Sequence, residues 1–337
     1  MEVINTNEFL KLSKSIPIID VRSPLEFEQG HIPGALNIPL FSNEEREIVG
    51  TTYKQVGKMK AIEQGLDFTG NKMKDIAIRG LKVSKRKSLL VHCWRGGMRS
   101  NSMAWLWNIM GVKCYLLEGG YKSYRNQLLQ DFKSLDNLHI LQGATGSGKT
   151  YIIHELERQG EQVIDLEKIA NHKGSAFGEL GERPQPTTQQ FQNNLHTKLK
   201  SLDLDKRIWV EGESRTIGKV YLPETLWEKM NTSKVVEVNI PQEKRIQHLV
   251  KDYGKYNNED LIKSVEKIQK RFGFDKAKTC IDYLKNSQYE EATKMLLDYY
   301  DKAYSFSREK YKTNTPKLFT FDNMNFEMIT KHIIENT

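Results

Sequence analysis

Leu138-His139-Ile140-Leu141-Gln142-Gly143-Ala144-Thr145-Gly146-Ser147-Gly148-Lys149-Thr150 runs from an apolar stretch into a glycine-rich one ending in Lys-Thr, and the helical composition of Tyr151-Ile152-Ile153-His154-Glu155-Leu156 follows. Gly143 to Thr150 satisfies G-x4-G-K-[ST] in the strand, loop and helix context the pattern requires, so the segment reads as a P-loop. Glycines let the backbone of such a loop wrap a diphosphate, a lysine adds a point charge on its terminal oxygens, and the threonine hydroxyl is placed to ligate Mg²⁺. The expected cradle is Gly143, Thr145, Gly146, Ser147, Gly148, Lys149 and Thr150, with Mg²⁺ at Thr150. It reads a diphosphate, so a nucleotide or any other pyrophosphorylated molecule fits it.

Downstream, the apolar runs Gln162-Val163-Ile164-Asp165, Arg207-Ile208-Trp209-Val210-Glu211, Lys234-Val235-Val236-Glu237-Val238-Asn239 and Lys317-Leu318-Phe319-Thr320-Phe321 read as further strands of an α/β domain over residues 138–337. Asp165 and Glu211 close two of them and are the candidate acids near the cradle; Arg183, Arg215 and Arg245 are possible phosphate-facing bases. From Gln242 to Tyr311 the chain is mostly helical, with Leu261, Val265, Ile268 and Phe272 on one helix face.

Upstream, a second α/β unit is expected over residues 1–132, with 133–137 as a polar linker. Its strands are Ile16-Pro17-Ile18-Ile19-Asp20-Val21, Ser88-Leu89-Leu90-Val91-His92 and Val112-Lys113-Cys114-Tyr115-Leu116-Leu117, and a polar helical insertion occupies about 41–86. The second strand leads into Cys93-Trp94-Arg95-Gly96-Gly97-Met98-Arg99-Ser100 and then a helix. Loop amides and the positive end of a helix lower a thiol's pKa and favour the thiolate. Gly96 and Gly97 let successive amides converge on an anion, and Arg99, with Arg95, adds charge. Cys93 is therefore the expected nucleophile; Cys114 and Cys280, in apolar surroundings, read as packing residues.

Residues Ile19-Asp20-Val21-Arg22-Ser23-Pro24-Leu25-Glu26-Phe27-Glu28-Gln29-Gly30-His31-Ile32-Pro33-Gly34-Ala35 resemble the N-terminal signature of rhodanese-type sulfurtransferases, and Leu117-Glu118-Gly119-Gly120-Tyr121 resembles their closing strand and turn. That resemblance makes Cys93 the carrier of sulfur or selenium and the Asp20 and Arg22 pair structural. Five residues separate Cys93 from Arg99, where common sulfurtransferase loops have four. The same spacing occurs in cysteine phosphatases, so the loop alone leaves chalcogen transfer and phosphate-ester hydrolysis both open. A general sulfurtransferase or a rhodanese-fold phosphatase joined to a nucleotide-binding module are the alternative readings.

The fusion of such a domain to a P-loop domain, together with Asn37-Ile38-Pro39-Leu40-Phe41-Ser42 and Cys93-Trp94-Arg95-Gly96-Gly97, resembles the tRNA 2-selenouridine synthase family over nearly the whole chain. What the resemblance implies is a transferase that converts 2-thiouridine at the wobble position of tRNAs for Lys, Glu and Gln into 2-selenouridine. It would S-geranylate the base with geranyl diphosphate and then replace the geranylated sulfur with selenium from selenophosphate. On this reading Cys93 and the loop of Trp94, Arg95, Gly96, Gly97, Met98 and Arg99 take selenophosphate, and the P-loop takes geranyl diphosphate.

Composition agrees with this class. The 337 residues carry 51 Lys and Arg against 43 Asp and Glu, a net charge of +8, and only three cysteines in no paired spacing, which excludes a disulfide framework. No apolar run approaches the ~20 residues of a membrane span, and Met1-Glu2-Val3-Ile4-Asn5 does not open a secretory leader. A cytoplasmic address is expected, with no membrane and no obligate protein partner. Between Lys244 and Lys278 ten bases face five acids, and Tyr253, Tyr256, Phe272 and Phe274 interleave them. Lys267, Lys270 and Arg271 are the candidate tRNA contacts, since basic and aromatic side chains together neutralise phosphates and stack bases. A smaller basic run, Arg79 to Lys87, precedes the strand that carries Cys93.

Overall fold

The computed structural model describes residues 1–85, 87–310 and 315–337; Arg86 of the small basic run and Tyr311 lie outside them. The chain divides into two compact units, Met1–Asp131 and Phe132–Thr337. Each is built on a five-stranded parallel sheet, as the expected pair of α/β domains requires. The inner strands of each sheet are short, apolar and buried, which is the pattern of parallel strands covered by helices on both faces, while the edges are more exposed.

The first unit runs β1 (Glu2–Ile4), α1 (Thr6–Leu12), β2 (Ile18–Asp20), α2 (Pro24–Gln29), β3 (Leu36–Asn37), α3 (Asn43–Gln55), α4 (Lys58–Thr69), α5 (Met73–Ser84), β4 (Ser88–His92), α6 (Met98–Ile109), β5 (Lys113–Leu117) and α7 (Gly120–Lys133). The sheet order is β1-β5-β4-β2-β3, which puts β4 at the centre. Register pairs Ile19 with Val91 and Val91 with Leu116. Capping boxes at Ser23 with Glu26 and at Ser42 with Glu45 start α2 and α3 by satisfying their first amides. The insertion is helical, and Phe41, Ile76 and Ala77 join the core formed by β4 and α6. Trp107 is fully buried there, and its indole N–H donates to the Ile76 carbonyl at 3.0 Å.

The second unit contains β6 (Leu138–Gly143), α8 (Lys149–Arg158), β7 (Gln162–Ile164), α9 (Leu166–Ala170), α10 (Thr188–Leu199), β8 (Ile208–Glu211), β9 (Thr216–Ile217), β10 (Val220–Tyr221), α11 (Glu224–Thr232), β11 (Lys234–Asn239), α12 (Gln242–Tyr253), α13 (Asn258–Phe272), α14 (Phe274–Lys285), α15 (Tyr289–Lys310), β12 (Lys317–Thr320) and α16 (Phe326–Glu335). Its sheet order is β12-β11-β6-β8-β7. The chain leaves β6 for β7 and β8 on one side and reaches β11 and β12 on the other. Such a reversal opens a crevice at the carboxyl end of the first strand, where ligands of open α/β sheets bind. Helices α12 to α15 form a separate apolar cluster that includes Leu261, Val265, Phe272, Cys280 and Leu284.

Candidate functional site

At the carboxyl end of central β4 the chain turns through Cys93 to Gly97 into α6. Gly96 has φ of +66°, and a Cβ there would lie 2.8 Å from the Leu117 carbonyl oxygen, so glycine is required. Gly120, at φ +63°, is held as tightly: a Cβ would come within 2.5 Å of both the Cys93 oxygen and the Gly96 nitrogen. Tyr121 N–H donates to the Cys93 carbonyl at 2.9 Å and Lys122 N–H to that of Trp94 at 3.0 Å. The Gly119-Gly120 turn thus fixes the back of the cysteine loop.

The Cys93 sulfur lies 3.3 Å from Ser100 Oγ, which in turn donates to the Gly97 carbonyl. Burial opposes ionisation of this thiol most strongly. The Ser100 hydroxyl, the charge of Arg99 and the backbone N–H groups of Ser100 and Arg95 outweigh it and hold the thiol below its ordinary range. Cys114 and Cys280, in apolar surroundings, are pushed up to about 11 and about 12 by burial, as packing residues should be.

Arg99 does not reach over the loop. Its guanidinium donates to Glu26 Oε2 at 2.7 Å and to Oε1 at 3.4 Å. Arg95 and Met98 are exposed, and Trp94 is half-buried against Tyr121. Asp20 and Arg22 form a buried pair at 2.6 Å, and Arg22 also donates to the Gly30 carbonyl and lies 4.0 Å over the Tyr121 ring, a structural brace beneath the loop. His92 is buried beside Asp20 at 3.8 Å. Burial holds its imidazole below the usual range.

In the second unit, β6 delivers Gly143 to the start of the P-loop, and Lys149 opens α8. Gly146 and Gly148 have φ of +78° and +79°, and a Cβ at Gly148 would strike the Phe326 ring at 2.2 Å. The Lys149 ammonium folds back on the Gly143 carbonyl at 2.9 Å, and Thr150 Oγ1 donates to Glu167 Oε2 at 2.7 Å. Arg245 does not face the cradle as a free base: it pairs with Asp301 at 2.8 Å and donates to the Thr145 carbonyl at 3.0 Å, bracing the loop from behind. Arg215 is paired with Glu224.

The two predicted acids sit beneath this loop in different roles. Asp165 caps α9 by accepting from Lys168 N–H and holds His154 at 2.9 Å. Glu211 is fully buried, and its Oε2 accepts from Leu166 and Glu167 N–H at 2.7 and 3.3 Å. Glu167 and Glu213, to which the sequence assigned no role, complete the group. Burial, reinforced by neighbouring carboxylates, raises Glu211 well above the usual range, raises Glu167 and brings Glu213 to about 7.

Above these acids lies a cavity of about 710 Å³ lined by Lys149, Thr150, Glu213, His248, Tyr253 and Tyr256, among others. Phe272 is 5% exposed and belongs to the core, Tyr253 is half-buried against the helical cluster, and Phe274 is 65% exposed. Lys270 and Arg271 are exposed at the end of α13, whereas Lys267 is tied to Glu179 at 2.6 Å.

A family model described as the tRNA 2-selenouridine synthase AAA domain matches residues 136–332, and a rhodanese-like domain model matches residues 5–127. The chain belongs to the tRNA 2-selenouridine synthase family. Relatives bearing that name include one from Shewanella frigidimarina, 33% identical over 92% of this chain and 93% of its own, and one from a Sulfurovum species, 32% identical over 87% and 89%. A third, from Nitrosomonas europaea, is 38% identical over 70% of this chain, a match spanning 63% of that relative. The family's two matched domains coincide with the two sheets, one ending at the cysteine loop and the other at the P-loop. No helix among the described residues of this family member is long and apolar enough to cross a membrane.

Proposed function

We propose that the chain is a tRNA-modifying transferase that converts 2-thiouridine at the wobble position into 2-selenouridine in two steps, with tRNAs for Lys, Glu and Gln as its acceptors. The observation that carries the reading is the presence, in one family member, of a cysteine in a glycine-built loop against Ser100 at the start of a helix and of a P-loop phosphate cradle. In the first step the thiocarbonyl sulfur attacks C1 of geranyl diphosphate. A carbon–sulfur bond forms, the carbon–oxygen bond breaks, the base loses a proton and diphosphate departs. Lys149 and the loop amides stabilise the departing charge, as oriented donors do for a developing anion. Geranylation turns the poorly leaving thiocarbonyl sulfur into one that leaves as a thiolate.

In the second step selenium from selenophosphate replaces the geranylated sulfur. The amides of residues 94–98 bind the anion at the start of α6, and the Cys93 thiolate, favoured by Ser100 and Arg99, attacks its phosphorus. A sulfur–phosphorus bond forms, the selenium–phosphorus bond breaks, the selenide released attacks C2 and expels geranylthiolate, and water then frees phosphate from Cys93. Arg99 is held by Glu26 and acts on Cys93 through its charge. Mg²⁺ fits the P-loop: a single hydroxyl, Thr150, beside the Glu167 carboxylate would hold it, since this ion keeps several waters and takes the rest of its ligands from phosphates. When bound it would neutralise diphosphate charge.

The reading separates the two sites by mutation. Cys93→Ala leaves S-geranylation of thiolated tRNA intact and abolishes selenation, while Lys149→Ala lowers geranylation by about tenfold or more, both read by mass analysis of the nucleosides. Full selenation by Cys93→Ala contradicts the assignment of the thiol.

A further inference from the structure

Beside the P-loop crevice, helices α12 to α15 line a second, smaller pocket of about 70 Å³. The two share Thr145, Ser175, Leu249, Tyr253 and Tyr300 as walls, and Thr145 belongs to the P-loop itself. Beyond these the small cavity is lined by Leu261, Leu284, Ala292, Leu296 and Leu297, among others, and by no charged side chain. Leu261, Leu284, Ala292 and Leu297 are each at most 4% exposed. Ligand pockets are concave and mostly apolar with a few placed polar groups, and an apolar slot that shares a wall with a phosphate loop has that character.

We propose that this slot holds the hydrocarbon tail of the prenyl diphosphate whose head lies in the P-loop, a proposal that rests on the diphosphate reading of that loop. The polarity changes across the shared wall in the way such an amphiphile requires. On one side stand Lys149 and the loop amides, and on the other leucines, an alanine and tyrosine rings. A nucleoside in the same place would bring ring nitrogens and ribose hydroxyls against aliphatic side chains, leaving polar groups without partners. Leu296 lines the slot and is absent from the walls of the P-loop crevice, so it reports on the tail alone.

The test is calorimetric titration of the full chain, in buffer with Mg²⁺, by inorganic pyrophosphate, geranyl diphosphate and farnesyl diphosphate. Geranyl diphosphate binds at least about tenfold tighter than pyrophosphate because burying its carbons adds affinity. Leu296→Trp, which fills the slot, removes that increment and leaves pyrophosphate affinity within about twofold, since a cavity-filling change acts locally. Leu296→Ala, which opens the slot, shifts preference toward farnesyl over geranyl by about fivefold or more and serves as the second variant if the first fails to fold. Equal affinity for geranyl diphosphate and pyrophosphate, or an increment unchanged in the variants that fold, overturns the proposal. In that case loss of pyrophosphate binding in Lys149→Ala keeps the diphosphate reading. Pyrophosphate that does not bind, or binds Lys149→Ala as well as wild type, brings down both.

Discussion

Cys93 owes its character to neighbours rather than to exposure, since only 3% of it is accessible and burial alone would raise its pKa. Ser100 is the neighbour whose removal is cleanest, because its hydroxyl both meets the thiol and ties the first turn of α6 to Gly97. A thiol with a lowered pKa keeps its thiolate as pH falls through the ordinary range near about 8.5, and loses it only below its own shifted value. The difference in thiolate ultraviolet absorbance between wild type and Cys93→Ala therefore titrates below that range. Ser100→Ala moves the midpoint upward, and a midpoint unaffected by Ser100→Ala removes the hydroxyl from the account. The residues that sequence reading singled out around Cys93 and Lys149 are contiguous, which is why they were legible. The role of Ser100 is less legible, because only its place in the first turn of the following helix points to it. Glu26 meets Arg99 across 73 positions, and Asp301 meets Arg245 across 56. No local pattern encodes such pairs. Glu213, just after β8, and Glu167, just after β7, join the P-loop floor only because β8 pairs with β6 and β7 with β8.

At the scale of elements, strands of four or more residues bounded by polar turns were readable as apolar runs, and β4, β5, β6, β8, β11 and β12 lie where those runs do. β1, β3 and the β9 and β10 hairpin have two or three residues each, too few for any periodicity, and are strands only because a neighbour pairs with them. The one-sided pattern of α13 was legible and correct: Leu261, Val265 and Phe272 are buried and Ile268 packs against the same cluster. The fit of α5 against α6 was not. Gly80 lies in the middle of α5, and a Cβ there would meet three atoms of the Trp107 indole at 2.0 to 2.5 Å. A buried indole that donates to the Ile76 carbonyl cannot swing away. Gly80→Ala, which would stabilise an isolated helix by up to about 1 kcal/mol, is instead expected to destabilise the first unit by about 1–3 kcal/mol. Chemical denaturation of the purified variant measures it, and an unchanged or higher stability would mean that α5 does not sit on Trp107 as described.

For the whole molecule, the proposed reading gives the surplus of positive charge a tRNA to bind, and more than half of that surplus lies between Lys244 and Lys278. The structure refines which charges are available. Lys267 is already engaged by Glu179, and Lys219 approaches the same carboxylate at 3.5 Å, so Lys270 and Arg271 carry the exposed charge at the end of α13. Changing both to Gln is expected to weaken tRNA binding and to make the dependence of log affinity on log salt shallower by about 1.5, close to the two counterions no longer released. Equal affinity and an equal slope would return that charge to solubility alone. The central claim joins the two sheets in one reaction, with the P-loop spending geranyl diphosphate and the cysteine loop delivering selenium. It is tested most directly by mass analysis of nucleosides from thiolated tRNA incubated with the wild-type chain and each co-substrate alone or both together. The account predicts S-geranyl-2-thiouridine with geranyl diphosphate alone and 2-selenouridine when both are present. Unmodified 2-thiouridine in every incubation, or 2-selenouridine formed as readily without geranyl diphosphate, would contradict it.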